Sequence, residues 1–137
     1  MAQDIREMNR RLIEAFDAGK EEVLDELIDV DGVDHQAPPG FAPGLEGMKQ
    51  IMHMLQGAIT GLRTEIVDEI VDEDTVVTHS IMSGKHTGDL FGIPATGKDF
   101  SVHNIDIVRF KGGKAVEHWG LMDQPALMEQ LGLAPSP

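Results

Sequence analysis

Two consecutive glycines, at positions 112 and 113, constrain the fold of this chain more than any other local feature. They separate two stretches in which apolar and polar residues alternate, SVHNIDIVRF and KAVEHWGLM. Glycine readily adopts the left-handed backbone conformation that a tight hairpin turn requires. The sequence therefore predicts a long β-hairpin closed by a three-residue loop at positions 111–113, in a register that pairs Ile105 with Trp119.

Side chains along a strand point alternately to its two faces, so the hairpin divides its residues into two sets. One face carries an imidazole, two carboxylates and the only tryptophan of the chain: His103, Glu117, Asp123 and Trp119. Polar groups of this kind among isoleucine and leucine are typical of the wall of a small-molecule pocket. The opposite face carries a mixed set that would suit contact with a second copy of the chain: Asn104, Asp106, Val108, Phe110, Val116, His118 and Met122.

Length and composition limit the kind of protein this can be. With 137 residues, the chain is expected to form one domain over residues 1–133, followed by a disordered tail at 134–137. The net charge of −13 disfavours nucleic acid and anionic membranes as partners. The absence of cysteine excludes disulfides and thiolate chemistry. The N-terminal residues lack an apolar signal core, and no apolar run is long enough to span a membrane, so we expect a cytoplasmic protein.

The order of the predicted elements indicates an α+β fold. Apolar residues at helical spacing mark the helices, and a change to a period of two at Thr64 marks the start of the strands. The predicted elements are a helix from Ile5 that ends at Gly19, helices over 23–28 and 45–59, strands over 64–71 and 75–86, the hairpin, and a short helix over 124–131. Helices that precede an antiparallel sheet favour a curved sheet folded over them, with a cavity between the two layers.

Several short motifs resemble those of one known family. They are GKHTG at 84–88, GIPATGK at 92–98, VRF at 108–110, VEHW at 116–119 with Asp123, QLG at 130–132, and weaker matches at 33–35 and 44–47. On these residues the chain resembles the SnoaL-like polyketide cyclases, or ester cyclases, of the NTF2-like superfamily. One position departs from the family pattern, because Lys85 stands where the family often has a threonine before the strand-end histidine.

The resemblance implies a fold, an assembly and a reaction. The fold is an α+β cone in which three N-terminal helices pack on a strongly curved antiparallel sheet and enclose a deep apolar pocket. The assembly is a homodimer or homotetramer. The reaction is a cofactor-free intramolecular aldol closure of the last ring of an aromatic polyketide ester. In the founding members an aspartate of the last strand acts as acid and base, and Asp123 stands at that position.

The chemistry of ring closure assigns roles to individual residues. A carboxylate that removes a proton beside a carbonyl and later protonates the new alkoxide needs no metal and no cofactor. An apolar pocket suits such a carboxylate because desolvation brings its pKa toward neutrality. We assign this role to Asp123 and expect His103 to hold the substrate oxygen. The residues expected to bind the small apolar substrate are His35, Met52, His79, Phe91, Trp119 and Leu121.

These assignments have structural alternatives. Asp123 immediately precedes Gln124 and Pro125, a pattern typical of a helix N-terminus, so its carboxylate could instead cap the last helix. Glu117 could form a structural ion pair with Arg109 at the far end of the hairpin. The histidines at 35, 79, 86 and 103 match no metal-ligand spacing, so no metal is expected, and each could be an ordinary hydrogen-bonded residue.

Three other functions fit the same sequence. A non-catalytic protein could hold a small apolar ligand in the same cavity, since one fold hosts many functions. A chain whose interior is filled by side chains would instead serve as a dimerisation module. A hydrolase on the same scaffold would need a second carboxylate and an arginine beside the attacking water, and neither Arg63 nor Arg109 is expected to reach Asp123.

Overall fold

The computed structural model describes residues 4–133, and the predicted tail at 134–137 lies outside them. These described residues fold into four helices and five strands. In chain order these are α1 (Ile5–Ala18), α2 (Glu21–Leu27), β1 (Ile28–Asp34), α3 (Gly44–Ala58), β2 (Ile59–Asp72), β3 (Thr75–His86), β4 (Asp99–Lys111), β5 (Lys114–Met122) and α4 (Gln124–Gln130). No helix within the described residues is long and apolar enough to cross a membrane.

The first helix begins and ends where its sequence predicts. The carboxylate of Asp4 caps α1 by accepting a hydrogen bond from the backbone N–H of Arg6, at 3.0 Å. Gly19 ends the helix in the left-handed conformation, with φ of 71°. The apolar residues Met8 and Leu12 are buried on one side of α1 and pack into the main hydrophobic core.

The second helix begins two residues before the predicted range 23–28, ends one residue before the end of that range, and leads directly into an edge strand. α2 ends at Leu27, because Ile28 already has the extended backbone angles φ −112° and ψ 131°. Ile28 opens β1, which pairs in parallel with β5, and the register of this pairing shifts between Ile28 and Val33. The strand ends at Asp34, where the proline- and glycine-rich loop begins.

The five strands form one sheet in the order β1-β5-β4-β3-β2. Only the β1–β5 pair is parallel; the other three pairs are antiparallel. The predicted turn between β2 and β3 is present, with Glu73 at a φ of 55°. The predicted α+β architecture of helices packed on a curved antiparallel sheet is therefore confirmed, with one parallel edge strand added to it.

The register predicted for the hairpin was wrong by two residues. The turn consists of Gly112 and Gly113 alone, with φ of 59° and 79°, so Lys111 already pairs with Lys114. An irregularity between Arg109 and Phe110 shifts the register once more, and Ile105 therefore pairs with Leu121 rather than with Trp119. A shift of two residues leaves every side chain on the same face, so the two predicted sets of residues are preserved.

The packing of the helices decides which face of the sheet is the inner one. Val76, Val102 and Val108 are among the buried residues of β3 and β4, and they share their face with Asn104 and Asp106. The prediction that the other face lines the pocket was therefore wrong. That face points outward, and the set predicted to meet a second copy of the chain lies beneath the helices instead.

Candidate functional site

A large cavity lies between the helices and the inner face of the sheet. Its volume is about 950 Å³, which is at the upper end of the range for small-molecule sites. Apolar side chains from α1, α3 and the loop after β3 line it, among them Leu12, Phe16, Ile51, Leu55 and Leu90. Polar side chains line it on the sheet side: Asp34, Thr78, Ser80, Asn104, Asp106 and His118. The cavity is suited to an apolar molecule that carries a reactive polar group.

Three of the polar residues form a hydrogen-bonded chain across the inner face. The imidazole of His118 donates from Nδ1 to Asp34 Oδ1 at 3.0 Å and from Nε2 to Asp106 Oδ1 at 2.8 Å. Burial by itself lowers the pKa of His118, but the hydrogen bonds and charges of Asp106 and Asp34 outweigh it and raise that pKa to about 9. His118 is therefore an imidazolium held between two carboxylates at neutral pH.

The strand pairing brings these residues together. Asp34 is the last residue of β1 and pairs directly with His118 on β5, while Asp106 on β4 pairs with Gly120. A Cβ atom on Gly120 would lie 2.8 Å from Asp106 Oδ1 and 3.0 Å from His118 Cε1. Because Gly120 has no side chain, the Asp106 carboxylate has the space to reach His118.

The two carboxylates occupy different surroundings. The side chain of Asp34 is 13% exposed, against 38% for Asp106. Asp34 Oδ1 also accepts a hydrogen bond from the backbone N–H of Gln36, at 3.0 Å. Burial raises the pKa of Asp34, but the hydrogen bond and charge of His118 outweigh this and lower it overall. Asp106 is the more open carboxylate and the one that a molecule in the cavity can reach.

A strip of uncharged polar groups continues from the carboxylates along the inner face. Thr78 pairs with Asp106 and Ser80 pairs with Asn104 across β3 and β4. Both Thr78 and Ser80 are almost fully buried, and Thr78 Oγ1 accepts a hydrogen bond from Asn9 Nδ2 at 2.9 Å. The strip gives the otherwise apolar cavity hydroxyl and amide groups that can meet oxygen atoms of a bound molecule.

The sequence and the fold of this chain match those of known proteins. The family model described as SnoaL-like polyketide cyclase matches residues 6–131. The chain belongs to the SnoaL-like polyketide cyclase family. It is 30% identical over 134 residues to the aklanonic acid methyl ester cyclase DnrD of Streptomyces peucetius, a match that covers 90% of this chain and 87% of DnrD. It is 25% identical over 126 residues to the nogalonic acid methyl ester cyclase of Streptomyces nogalater, with 88% and 92% covered.

Solved structures agree with this family assignment. TsrD from Streptomyces laurentii superimposes with a TM-score of 0.88 at 28% identity, covering 96% of this chain and 99% of TsrD. IdmH from Streptomyces antibioticus gives a TM-score of 0.82 at 30% identity, with 95% and 99% covered. The named curated relatives are cyclases, and this chain is accordingly an enzyme of the SnoaL-like cyclase type.

The residue predicted to be the catalytic acid and base of this cyclase lies at a helix end. Asp123 is the N-cap of α4, where its Oδ1 accepts a hydrogen bond from the backbone N–H of Ala126 at 3.2 Å. Its own backbone N–H donates to the carbonyl of His103 at 3.0 Å. The predicted capping alternative is confirmed. The described cavity lining includes Met122 and Gln124, on either side of Asp123, but not Asp123 itself.

The predicted partner of Asp123 lies on the outer face of the sheet. His103 is exposed there and its Nδ1 lies 2.7 Å from His79 Nε2, with the two rings stacked at 5.0 Å. His79 pairs with Ile105, whose other neighbour on this face is Leu121. The side chains of Asp123 and His103 therefore do not form the predicted pair, because alternation along β4 turns His103 away from the cavity.

His35 and Trp119 were predicted to bind substrate and are also found on the outer face. Their rings stack with centroids 4.4 Å apart and planes 8° apart. Glu117 accepts hydrogen bonds from His35 Nε2 at 2.9 Å and from Arg109 at 2.6 Å. The predicted Glu117–Arg109 ion pair is thus confirmed, and the stack places His35 and Trp119 against each other rather than against the cavity.

The remaining predicted contacts divide between the cavity and the core. Phe91 and Leu121 are among the residues that line the cavity, and both are largely exposed at its edge. Met52 is completely buried in the main core and does not belong to the described lining. Among residues 4–133, no three histidine or carboxylate side chains converge as a metal site would require.

The sequence contained a signal for the site that the structure reveals. His118 and Asp106 share their hairpin face with Val102, Val108 and Phe110, which all belong to the hydrophobic core. The opposite face has isoleucines and a tryptophan, yet no valine or phenylalanine of β4. Within β4 the inner face carries four apolar residues and the outer face carries two, Ile105 and Ile107, and this difference was the stronger indication of an inner face.

Proposed function

We propose that this cyclase closes a ring by an intramolecular aldol reaction on an apolar polyketide-like carbonyl ester, with Asp106 as the proton-transferring carboxylate. The observation that carries the proposal is the contact between Asp106 and the imidazolium of His118 inside a cavity of about 950 Å³. The cyclase relatives named for aklanonic acid methyl ester and nogalonic acid methyl ester support this class of substrate.

The proposed reaction is balanced without an oxidant, a reductant or a cofactor. Asp106 removes a proton from the carbon beside a carbonyl, and the electron pair of the C–H bond forms an enolate. The enolate carbon attacks a second carbonyl carbon of the same molecule, which forms the new C–C bond and an alkoxide. The carboxylic acid of Asp106 then returns its proton to the alkoxide oxygen. One carboxylate thus serves as base and then as acid.

The positive charge of His118 offsets the negative charge that develops on the substrate during this proton transfer. Before the reaction, the positive ring stands between two negative carboxylates, so the three groups together carry one negative charge. When Asp106 takes up a proton, His118 and Asp34 remain as a neutral ion pair. The new enolate then meets no net negative charge, and the adjacent imidazolium stabilises it. Asp34 holds the far side of the ring and fixes its orientation.

Asp123 is the competing candidate for the acid and base, since the resemblance to the family points to it. Its carboxylate is occupied at the N-terminus of α4, where it accepts from the backbone N–H of Ala126. Asp106 has an open side toward the cavity and a charged partner, His118. These contacts favour Asp106, and the two aspartates can be separated by experiment.

The test compares Asp106→Asn with Asp123→Asn on aklanonic acid methyl ester, the compound named in the relatives. We expect Asp106→Asn to lose about 100-fold or more of the wild-type turnover, which is typical of a lost general acid–base group. Asp123→Asn should retain near-wild-type turnover. Thermal melts of both variants control for folding.

Two results would contradict the proposal. If Asp106→Asn turns over like wild type while Asp123→Asn is inactive, the acid–base role belongs to Asp123. If the wild-type protein binds the ester without closing the ring, the cavity is a binding site only. A hydrolase is not favoured, because Arg109 is engaged by Glu117 on the outer face and the described cavity lining contains no arginine.

A further inference from the structure

We propose that His35, Trp119 and Glu117, on the outer face of the sheet, position Asp34 against His118 on the inner face. They would act as positioning residues, because their side chains contact one another and Arg109 rather than His118 or Asp106. The importance of this arrangement for catalysis rests on the proposed function, but the physical link between the two faces does not.

The two faces are linked through the consecutive residues Asp34 and His35, whose side chains lie on opposite faces of the sheet. The carboxylate of Asp34 accepts from His118 Nδ1 at 3.0 Å on the inner face. The backbone N–H of His35 donates to the carbonyl of His118 at 2.8 Å, and its ring stacks on Trp119 on the outer face. The stack on Trp119 and the hydrogen bond to His118 together restrain the backbone of His35, which is joined directly to Asp34.

Hydrogen bonds and a cation–π contact hold His35, Trp119 and Glu117 on the outer face. Glu117 binds His35 Nε2 with one carboxylate oxygen and Arg109 with the other, at 2.9 and 2.6 Å. The guanidinium of Arg109 lies 5.4 Å from the centre of the Trp119 ring, within the range of a cation–π contact. The stack is thus connected to both β4 and β5, whose pairing is regular from Asn104 to Arg109.

The strand that carries Asp34 is hydrogen-bonded to one neighbouring strand, and its other contacts are with the helices α2 and α3. β1 is an edge strand that pairs only with β5, and the register of this pairing breaks between Ile28 and Val33. The regular part of the β1–β5 pairing consists of Val33 and Asp34. It is followed by the hydrogen bond from the backbone N–H of His35 to the carbonyl of His118. The chain then enters a loop, at positions 35–43, that contains three prolines and Gly40. Frayed ends of edge strands are the easiest parts of a sheet to open, so an anchor at His35 has a direct effect on Asp34.

The charged side chains against His118 come from two strands only among the described residues. They are Asp34 from β1 and Asp106 from β4. Loss of the Asp34 contact would leave His118 with one carboxylate partner and would lower its pKa toward the ordinary value. The pKa of His118 therefore reports whether the Asp34 carboxylate is in contact with its ring, and this pKa can be measured without substrate.

The experiment is an NMR titration of the His118 ring in the full-length protein. The variants are His35→Ala, which removes the stack and the Glu117 contact, and Trp119→Leu, which removes the stack and the Arg109 cation–π contact but keeps the His35–Glu117 contact. Asp34→Asn gives the effect of losing the carboxylate itself. His103→Ala is the matched control, since His103 is also an outer-face histidine but touches His79 on β3 rather than the end of β1.

We expect Asp34→Asn to lower the pKa of His118 by about one unit or more, as loss of a close opposite charge does. His35→Ala and Trp119→Leu should lower it in the same direction by a smaller amount, and His103→Ala should leave it unchanged. The proposal is overturned if His35→Ala and Trp119→Leu reduce the melting temperature but leave the His118 titration at its wild-type position. His35 is partly exposed, so His35→Ala keeps the test available if Trp119→Leu does not fold.

This outcome is independent of the test of the proposed function. If the Asp106→Asn variant keeps wild-type turnover, Asp106 is not the acid–base residue, but the conclusions from the His118 titration still hold. An unchanged His118 titration in both outer-face variants would remove the positioning role and leave the turnover results of Asp106→Asn intact.

Discussion

Gly120 lies directly across from Asp106 in the β4–β5 pair, and a Cβ atom at Gly120 would approach Asp106 Oδ1 to 2.8 Å. That oxygen is the one bound by His118 Nε2. The glycine is not required by the backbone, because its φ lies outside the left-handed region. Its role is to leave space for the Asp106–His118 hydrogen bond.

Replacing Gly120 with alanine should therefore displace the Asp106 carboxylate without breaking the strand. We expect turnover to fall by about 10- to 100-fold, since a misplacement of about 1 Å at a reacting group has effects of this size. The pKa of His118 should fall in the same variant, because one of its two carboxylate partners moves away. Steady-state kinetics and the His118 NMR titration measure the two effects.

Gly57→Ala is the matched control for this substitution. Gly57 lies in α3, has no atom within 4 Å of its missing Cβ, and has an ordinary helical φ. Alanine there should stabilise the helix by about 0.5–1 kcal/mol and leave turnover unchanged. Equal activity of Gly120→Ala and Gly57→Ala would contradict the role given to Gly120.

The ionisation of His118 predicts how stability depends on pH. The pKa of His118 rises from 6.5 to about 9 on folding, so the native state binds this proton more tightly than the unfolded state does. The resulting stabilisation is fully present below pH 6.5 and is lost as the pH rises through about 9. At about 1.4 kcal/mol per pKa unit, the change across this window is about 3 kcal/mol.

Urea unfolding between pH 6 and pH 10 tests this dependence. The free energy of unfolding of the wild-type protein should decline across that range, and His118→Gln should show a flatter profile. Parallel profiles for the two proteins would mean that His118 does not carry the effect. On the acid side, Asp34 has a lowered pKa, so its contribution is present above its ordinary pKa and disappears as the pH falls through its folded value.

Asp123 should contribute to stability through its cap of α4. Removing the side-chain acceptor in Asp123→Ala should destabilise the protein by about 1 kcal/mol. Asp123→Asn should cost much less, since asparagine caps helices as well as aspartate does. Denaturation of the two variants measures the difference. If Asp123→Ala is as stable as wild type, the hydrogen bond to Ala126 is not a stabilising cap.

The resemblance implies a homodimer, and we propose that the outer face of the sheet forms its interface. Ile105 and Leu121 pair across β4 and β5 and are 42% and 71% exposed, next to the His79–His103 pair. Burying these apolar side chains favours association. Light scattering after size exclusion should give a dimer for the wild type and a monomer for Leu121→Lys, with Val67→Lys on the edge strand β2 as control. A monomeric wild type would contradict the proposal.

Much of the local structure follows from the sequence, and particular residues explain why. Asp4 and Gly19 mark the ends of α1 because capping and left-handed conformations depend on neighbouring residues only. The hairpin turn follows from its two glycines. The register beyond it was missed by two residues. One came from a turn that is one residue shorter than predicted, and the other from the irregularity between Arg109 and Phe110, which has no clear marker in the sequence.

The sequence by itself determined the helices, the four antiparallel strands, the family and the two sets of residues on the hairpin, but not the parallel edge strand β1. Only the tertiary structure decided which set faces the cavity, because alternation along a strand defines two faces without saying which one the helices cover. That choice depends on how Val76 and Val108 pack beneath α1 and α3. It turns His103 and Trp119 outward and brings Asp34, on a strand 84 residues away in the chain, to His118.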